Sequence, residues 1–394
     1  MISFDDAQAI LASAARPIGT EVVKLEQAAG RVLAADAIAA IDSPRADVSA
    51  MDGYAVREAD LAHAPARLLV SGESFPGQLP PPIASGECVR IFTGAPVPEG
   101  ADCVVIQEIV RREGEWAIFE REPGPARHIR SRGSDFRSGE RLLAAGTLLD
   151  ARTIVAAAGA DVASVEVFRR PSFAIVATGD ELAQPGSARD TPGAIPDSVS
   201  LGVAALAEQW GGEWVARSRV GDNREQLEAA GREALGAADL VIVTGGASVG
   251  EKDFAKAMFE SAGLELLFSK VRIKPGKPVW LGRAQSKFVL GLPGNPTSAL
   301  VTARLFLAPL LSGLTGRDPA ASLHWRKAPL ASPLPPSGDR ETFARAYWAG
   351  DLVQPLSDQD SGAQRALAMA ELLVRRTANA PAAATGDSVE VLTF

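Results

Sequence analysis

The stretch Leu240-Val-Ile-Val-Thr-Gly-Gly-Ala-Ser-Val-Gly250 reads as an apolar strand, Leu240–Val243, opening into a glycine-rich turn, Thr244–Gly250. An uninterrupted apolar strand is one buried on both faces, the mark of a parallel sheet covered by helices. The glycines let a ligand approach the backbone closely and turn N–H groups toward phosphate oxygens. Taken alone, such a turn is more often structural than ligand-binding. It is not a P-loop, because Gly250 is followed by Glu251 and only then Lys252. No GxGxxG follows a strand, so the dinucleotide fingerprint is also missing.

Working outward, strands and helices alternate from about Pro171 to Leu314. Strand Phe173–Ala177 ends in Thr178-Gly-Asp180-Glu181, helix Leu201–Gln209 follows, and strand Val215–Val220 ends in Gly221-Asp222-Asn223. Asn223 is placed to cap a helix over Arg224–Leu235, with Leu227, Ala230, Ala234 and Leu235 on one face. A helix over Phe254–Ala262, strands over Leu264–Phe268, Val279–Leu281 and Phe288–Leu290, and an apolar helix after Asn295 complete the unit. The alternation predicts a doubly wound, mostly parallel three-layer α/β domain. Before it, residues 1–45 look helical, through Ala9, Ile10 and Leu11 and then Val22, Val23 and Leu25. Short β-type runs follow at Arg67–Val70, Cys88–Phe92, Cys103–Gln107 and Trp116–Phe119. A basic stretch, Arg127 to Arg141, alternates with Gly and Ser and is open to either a ligand role or a solvated surface. After it, strands at Glu341–Trp348, Leu352–Pro355 and Ser388–Leu392 predict a small C-terminal β-barrel or sandwich.

Bulk composition narrows the function classes. The 394 residues carry 40 basic and 48 acidic side chains, a formal charge of −8, with 46% hydrophobic residues. Such a chain is a poor nucleic-acid binder, so anionic ligands must be held by local cations. Cys88 and Cys103, the only cysteines, form no CxxC pair, which argues against a zinc site or a disulfide framework and fits a cytoplasmic protein. The opening Met1-Ile-Ser-Phe-Asp-Asp lacks the basic and apolar regions of a signal peptide, so none is expected. Its most apolar run, Ala299–Leu311, contains Arg304 and Pro309 and reads as a buried helix rather than a membrane span.

Ligands of open α/β sheets bind beyond the carboxyl ends of the strands. Here those ends carry Asp180, Glu181 and Asp222, then Gly245, Gly246, Ser248 and Asp253. Converging carboxylates repel one another unless a cation lies between them, and Mg2+ bridging a pyrophosphate would relieve this. Capping is the competing role for Asp180 and Asp222. Lys274-Pro-Gly-Lys277-Pro, stiffened by its prolines, is suited to clamp an oxyanion. Gly291-Leu-Pro293-Gly-Asn295-Pro296-Thr-Ser298 is a second strand-to-helix turn with donors at a helix start.

Six segments together, in order, resemble the molybdopterin molybdenumtransferase family, the bacterial MoeA proteins and the gephyrin E domain. They are Pro44–Ala55, Phe92–Asp102, Thr178–Leu182, Thr244–Asp253, Lys274–Pro278 and Gly291–Pro296. The resemblance implies four subdomains: 1–45 with 130–170 (linker and dimerisation), 46–129 (β-rich), 171–314 (α/β, molybdopterin-binding type) and 315–394 (β-barrel). It implies a homodimer whose active site is shared between subunits, and conversion of adenylyl-molybdopterin and molybdate, with Mg2+, to molybdenum cofactor and AMP. On matching positions Asp52, Thr93, Glu181, Asp222 and Asp253 would be catalytic, the last three around the metal. Thr178, Gly245, Gly246, Ser248, Lys274, Lys277, Pro293, Asn295, Pro296, Ser298, Arg345 and Ser361 would bind substrate. Implied partners are the adenylyltransferase and molybdoenzyme-maturation proteins, with no nucleic acid and no membrane. The chain departs from the pattern at Asp197-Ser198-Val199, where the family has Asp-Ser-Asn, and near Ala368–Leu373, where its Ala-Asn pair is missing. A molybdopterin adenylyltransferase and a non-catalytic scaffold paralogue are the competing functions.

Overall fold

The computed structural model describes residues 1–246 and 254–394. It divides into two compact units, Val22–Glu166 and the combination of Met1–Glu21 with Val167–Phe394.

Unit Val22–Glu166 is built on a six-stranded sheet in the order Cys103–Ile106, Gly53–Val56, Glu87–Ile91, Ala66–Ser74, Trp116–Phe119, Val110–Glu113. Tyr54, Val56, Leu61, Leu68, Cys88, Cys103 and Phe119 pack beneath it. Strand Gly53–Val56 escaped the sequence reading because all four of its residues are buried, so no in–out alternation marks it. In the basic stretch, Arg127 pairs with Glu58, Arg132 with Asp42 at 2.5 Å and Arg141 with Asp36 at 3.6 Å. Those three charges are answered within the unit rather than offered to a ligand.

The helical expectation for residues 1–45 needs correction. The α-helix covers Phe4–Ala14, started by a Ser3–Asp6 capping box, and Pro17 prevents its continuation. Val22 and Val23 lie in an extended strand, Thr20–Lys24, as β-branched residues favour.

The central sheet has six strands: β1 Ser172–Thr178, β2 Glu213–Val220, β3 Leu240–Thr244, β4 Glu265–Ser269, β5 Trp280–Ala284 and β6 Lys287–Leu292. Their order is β2-β1-β3-β6-β5-β4. The first four are parallel, whereas β5 runs antiparallel to both β6 and β4. Connection length explains the switch. A parallel neighbour needs a crossover of about a dozen residues, and β5 and β6 are joined by Gln285-Ser286 alone, both at positive φ. Alternate residues of β1 and β3 enter opposite layers. Phe173, Ile175, Leu240 and Ile242 face one core with Phe4 and the helices Val199–Gln209 and Pro296–Leu314. Ala174, Val176, Val241 and Val243 face the other, with Leu227, Ala234 and Leu235 of helix Arg224–Ala237. This is the expected three-layer arrangement.

Helix Pro296–Leu314, 19 residues, exceeds the apolar run read from sequence and is the one helix among the described residues long and apolar enough to cross a membrane; 94% of its apolar 18-residue stretch is buried inside the protein. A π segment at Ala303–Leu307 accommodates Pro309 without breaking it. Arg304 within it donates to Thr393 O and Ser322 O.

The C-terminal sheet contains the three expected strands and three more, Arg326–Pro329, Leu372–Arg376 and the two-residue Ile273–Lys274. The last belongs in sequence to the α/β domain but pairs in parallel with Glu341-Thr342, Lys274 opposite Thr342. Leu330 bridges Val353, bringing the ladder back toward its start.

Candidate functional site: two clefts with one wall

At the carboxyl ends of β1, β3 and β6 lies a cleft of about 980 Å3. Thr178, Glu181, Asp222, Gly245, Gly246, Pro293, Asn295 and Pro296 all line it, as expected from their positions in sequence. The glycine requirement is concrete at Gly245. Its φ is +89°, and a Cβ there would stand 2.5 Å from Thr178 O. Thr178, itself buried, donates its hydroxyl to Thr244 O at 3.3 Å, tying the two strand ends together. The turn residues Ser248 and Asp253 lie outside the described residues.

The carboxylates divide by task. Asp180 accepts the Asp222 N–H at 3.1 Å and so fixes the β2 turn. Asn223, not Asp222, caps helix Arg224–Ala237, its side chain accepting from Gln226 N at 3.1 Å. Asp197 was not singled out as a site residue. Its side chain is 1% exposed, bonds Arg217 at 2.6 Å and accepts the Ser200 N–H at 3.1 Å, so it acts as the start of helix Val199–Gln209. Val199, the departure from the family pattern, opens that helix, lines the cleft and packs into the core. Glu181 and Asp222, both exposed, are the other carboxylates that line the cleft. Among the described residues no three His, Cys, Asp or Glu side chains converge. Two carboxylates nevertheless fit Mg2+, which takes its other oxygens from phosphate and water.

Lys274, Lys277, Ser298 and Ser361 line a different cleft, about 910 Å3, between the Lys274–Pro278 turn and the C-terminal sheet. Neither lysine has an ion-pair partner among the described residues, which leaves both cations for an anion. Gly276 makes this turn: its φ is +96° and a Cβ would meet Thr302 Cγ2 at 2.1 Å, so the turn lies flat on helix Pro296–Leu314. Arg340 and Arg376 also line this cleft. No sequence signal pointed to them, since neither belongs to a glycine turn or a strand end of the α/β domain.

The clefts share a wall. Pro278 lines both. Asn295, on one side, donates through Nδ2 to Ser361 Oγ at 3.0 Å on the other, and Thr297 N donates to Ser361 O at 3.1 Å. Arg345, expected to touch substrate, is not among the lining residues of either cleft. Only 1% exposed, it donates to Thr297 Oγ1 at 3.1 Å and to the carbonyls of Asp358 and Asp360 at 3.1 and 2.9 Å. It holds the Ser361 loop against the helix start, and burial lowers its pKa.

In unit Val22–Glu166, Asp52 and Thr93 come together as paired in the sequence reading. Asp52 Oδ1 accepts both Thr93 N–H (2.7 Å) and Thr93 Oγ–H (2.8 Å). These bonds, the backbone one first, hold the carboxyl below its ordinary range and keep it ionised at neutral pH.

Comparison with known proteins identifies the family by region. The MoeA N-terminal region (domains I and II) matches residues 2–160, a probable molybdopterin-binding domain matches 174–313, and the MoeA C-terminal region (domain IV) matches 327–394. The chain is 38% identical over 332 residues to the molybdopterin molybdenumtransferase of Haemophilus influenzae, covering 84% of this chain and 80% of that one. It is 37% identical to that of a Nostoc species, covering 82% and 76%. A crystal structure of the molybdopterin biosynthesis MoeA protein from Pyrococcus horikosii superposes with TM-score 0.85 at 30% identity, over 100% of this chain and 99% of that one. With three consecutive regions matched along most of its length and relatives 38% and 37% identical over most of both chains, the chain belongs to the MoeA family, the molybdopterin molybdenumtransferases.

Proposed function

We propose that this chain inserts molybdenum from molybdate into adenylyl-molybdopterin, releasing molybdenum cofactor and AMP. The observation that carries the reading is the unequal charge across one wall. Among the described residues, carboxylates and no basic side chain line the strand-end cleft, whereas Lys274, Lys277, Arg340 and Arg376 outnumber Asp339 and Asp360 in the other, and neither lysine has an ion-pair partner. The adenylate's phosphoanhydride would lie in the strand-end cleft. There Gly245 and Gly246 expose backbone, and the start of helix Pro296–Leu314 presents N–H dipoles. Glu181 and Asp222 would hold Mg2+, whose chemistry is to neutralise the pyrophosphate oxygens. Lys274 and Lys277 would hold molybdate as two point charges on a stiff turn, with Ser298 and Ser361 donating hydroxyls. Placing a dianion beside a pyrophosphate and a dithiolene requires fixed cations and dipoles, which this arrangement supplies.

The reading includes a homodimer in which Asp52 and Thr93 act at a site shared between subunits, and a cytoplasmic setting with the adenylyltransferase as neighbour. A molybdopterin adenylyltransferase is the less favoured alternative, because it would leave the lysine-lined cleft without a substrate.

The test is AMP release from adenylyl-molybdopterin, molybdate and Mg2+ by the full-length protein. Molybdate-dependent AMP release is the expected result. Folded protein that binds molybdate yet releases no AMP would overturn the reading.

A further inference from the structure

The N-terminal unit holds an unusual column of flat groups. The Arg90 guanidinium lies 5.1 Å from the Tyr54 ring centroid and 5.0 Å from that of Phe92. Phe92 in turn stacks on Phe75, centroids 4.7 Å apart and planes 13° from parallel. Tyr54 closes the inner end, buried and edge-on to Phe119. Phe75, 37% exposed, is the outer end. Arg90 is fixed in the column by its bonds to Gly53 O at 2.8 Å and to Gln107 Oε1.

A large aromatic ring half in water at a loop contributes little to the core, whereas a rigid, pre-stacked ring makes a low-entropy platform for another flat ring. Asp52 is tied to the same pair of loops. Its partner Thr93 lies between Phe92 and Gly94, a Cβ on Gly94 would come within 3.9 Å of Pro76 Cγ next to Phe75, and the Arg90 charge, after the two Thr93 bonds, helps to lower the Asp52 pKa. The two bonds from Thr93 both fall on Oδ1. Asp52 Oδ2 therefore has no hydrogen-bond partner among the described residues, while the group stays ionised. An ionised carboxylate with an open oxygen suits a ring edge that offers neighbouring N–H and N–H2 donors, as on a 2-amino-4-oxo-pyrimidine, because the two lone pairs of Oδ2 can accept from both.

We propose that Phe75, at the end of the Arg90–Phe92–Phe75 column, and Asp52 form a recognition site for the 2-amino-4-oxo-pyrimidine ring of the substrate's pterin, with Phe75 stacking and Asp52 accepting from the donor edge. This rests on the molybdopterin reading of the function, and it assigns ring recognition to the N-terminal unit. Adenine lacks that pair of donors and is excluded by the same chemistry. Guanine shares it.

The experiment titrates the full-length protein with free pterin by fluorescence, with lumazine, guanosine and adenosine as parallel arms. Lumazine carries an oxygen in place of the 2-amino group. Pterin is expected to bind and lumazine and adenosine at least ten-fold more weakly. Phe75→Ala should lose about ten-fold in pterin affinity, as removal of one stacking partner does, and Phe75→Trp should restore it. Asp52→Asn should narrow the pterin–lumazine difference without unfolding the protein, checked by its thermal transition. Equal pterin affinity in wild type and Phe75→Ala would overturn the proposal, as would equal binding of pterin and lumazine to wild type. Preference for guanosine over pterin would overturn the pterin assignment. Molybdate-dependent AMP release by the wild type is scored separately, so failure of the transferase reading is distinguishable from failure of the platform.

Discussion

The two clefts of the larger unit are made from opposite materials. The strand-end cleft is built of glycines and backbone, with Glu181 and Asp222 as its exposed acids. The neighbouring cleft is built of side chains on a proline-stiffened turn, with Lys274, Lys277, Arg340 and Arg376 on its walls outnumbering Asp339 and Asp360. The first suits a ligand recognised by backbone dipoles and a metal, the second a compact oxyanion recognised by point charges. Separate compartments let two anions be held close without either answering the other's counter-charge.

That contrast breaks most sharply at the lysines. Replacing both Lys274 and Lys277 with Ala removes two charge-assisted interactions of about 1.5–3 kcal/mol each. Molybdate affinity should fall by roughly 100-fold or more, measured calorimetrically, while AMP binding changes less than about three-fold. A matching loss of AMP binding would mean that the clefts are one site. Glu181→Gln is the complementary change: Mg2+-dependent AMP release should fall about 10- to 100-fold, with molybdate binding intact. Unchanged metal dependence would move the metal away from Glu181.

Backbone substitutions sharpen the comparison through stability. Gly245→Ala forces a Cβ to within 2.5 Å of Thr178 O at positive φ, so it should cost about 1–3 kcal/mol and lower the thermal midpoint by several degrees. Ala tolerated there would show that the turn is looser than its geometry. The smallest effect is expected at the amino end of the same sheet, far from either cleft. Burial pushes the Asp239 carboxyl up, but the Arg169 ion pair and the Ser172 donors outweigh it and bring it to about 2. A depressed carboxylate stabilises the fold above its unfolded pKa of about 3.9, and that contribution is lost as pH falls toward 2. Asp239→Asn should therefore flatten the stability profile between about pH 4 and 2 and leave AMP release at neutral pH unchanged. An identical acid transition in the variant would refute this assignment.

Much of this was legible in sequence because local chemistry fixed it. The Leu240–Thr244 strand, the Asn223 cap and the three-layer alternation follow from periodicity and turn residues. The Asp52–Thr93 pair and the strand-end lining followed from motif resemblance. What escaped depends on distant partners. The Gln285-Ser286 hairpin turn uses positive φ without glycine, so it carried no turn signature. Lys274 takes its place from Thr342 in another sheet. Arg345 looked like a ligand because the sequence gives its charge and not the carbonyls of Asp358 and Asp360 that occupy it. The substrate-binding residues implied by the resemblance divide between two clefts for the same reason: residue types specify chemistry, and only the packed wall decides which chemistries face one another.

Ser361 gives that wall a thermodynamic meaning. One residue holds Asn295 through its hydroxyl and Thr297 through its carbonyl, while its own loop borders the lysine-lined cleft. A ligand that reorients Ser361 from one side changes the free energy of Asn295 on the other. Linkage is reciprocal: whatever factor molybdate adds to affinity for the adenylate, the adenylate must add to affinity for molybdate. A hydrogen bond of 3.0 Å through a partition thus ties the occupancy of one cleft to that of the other through a single coupling constant.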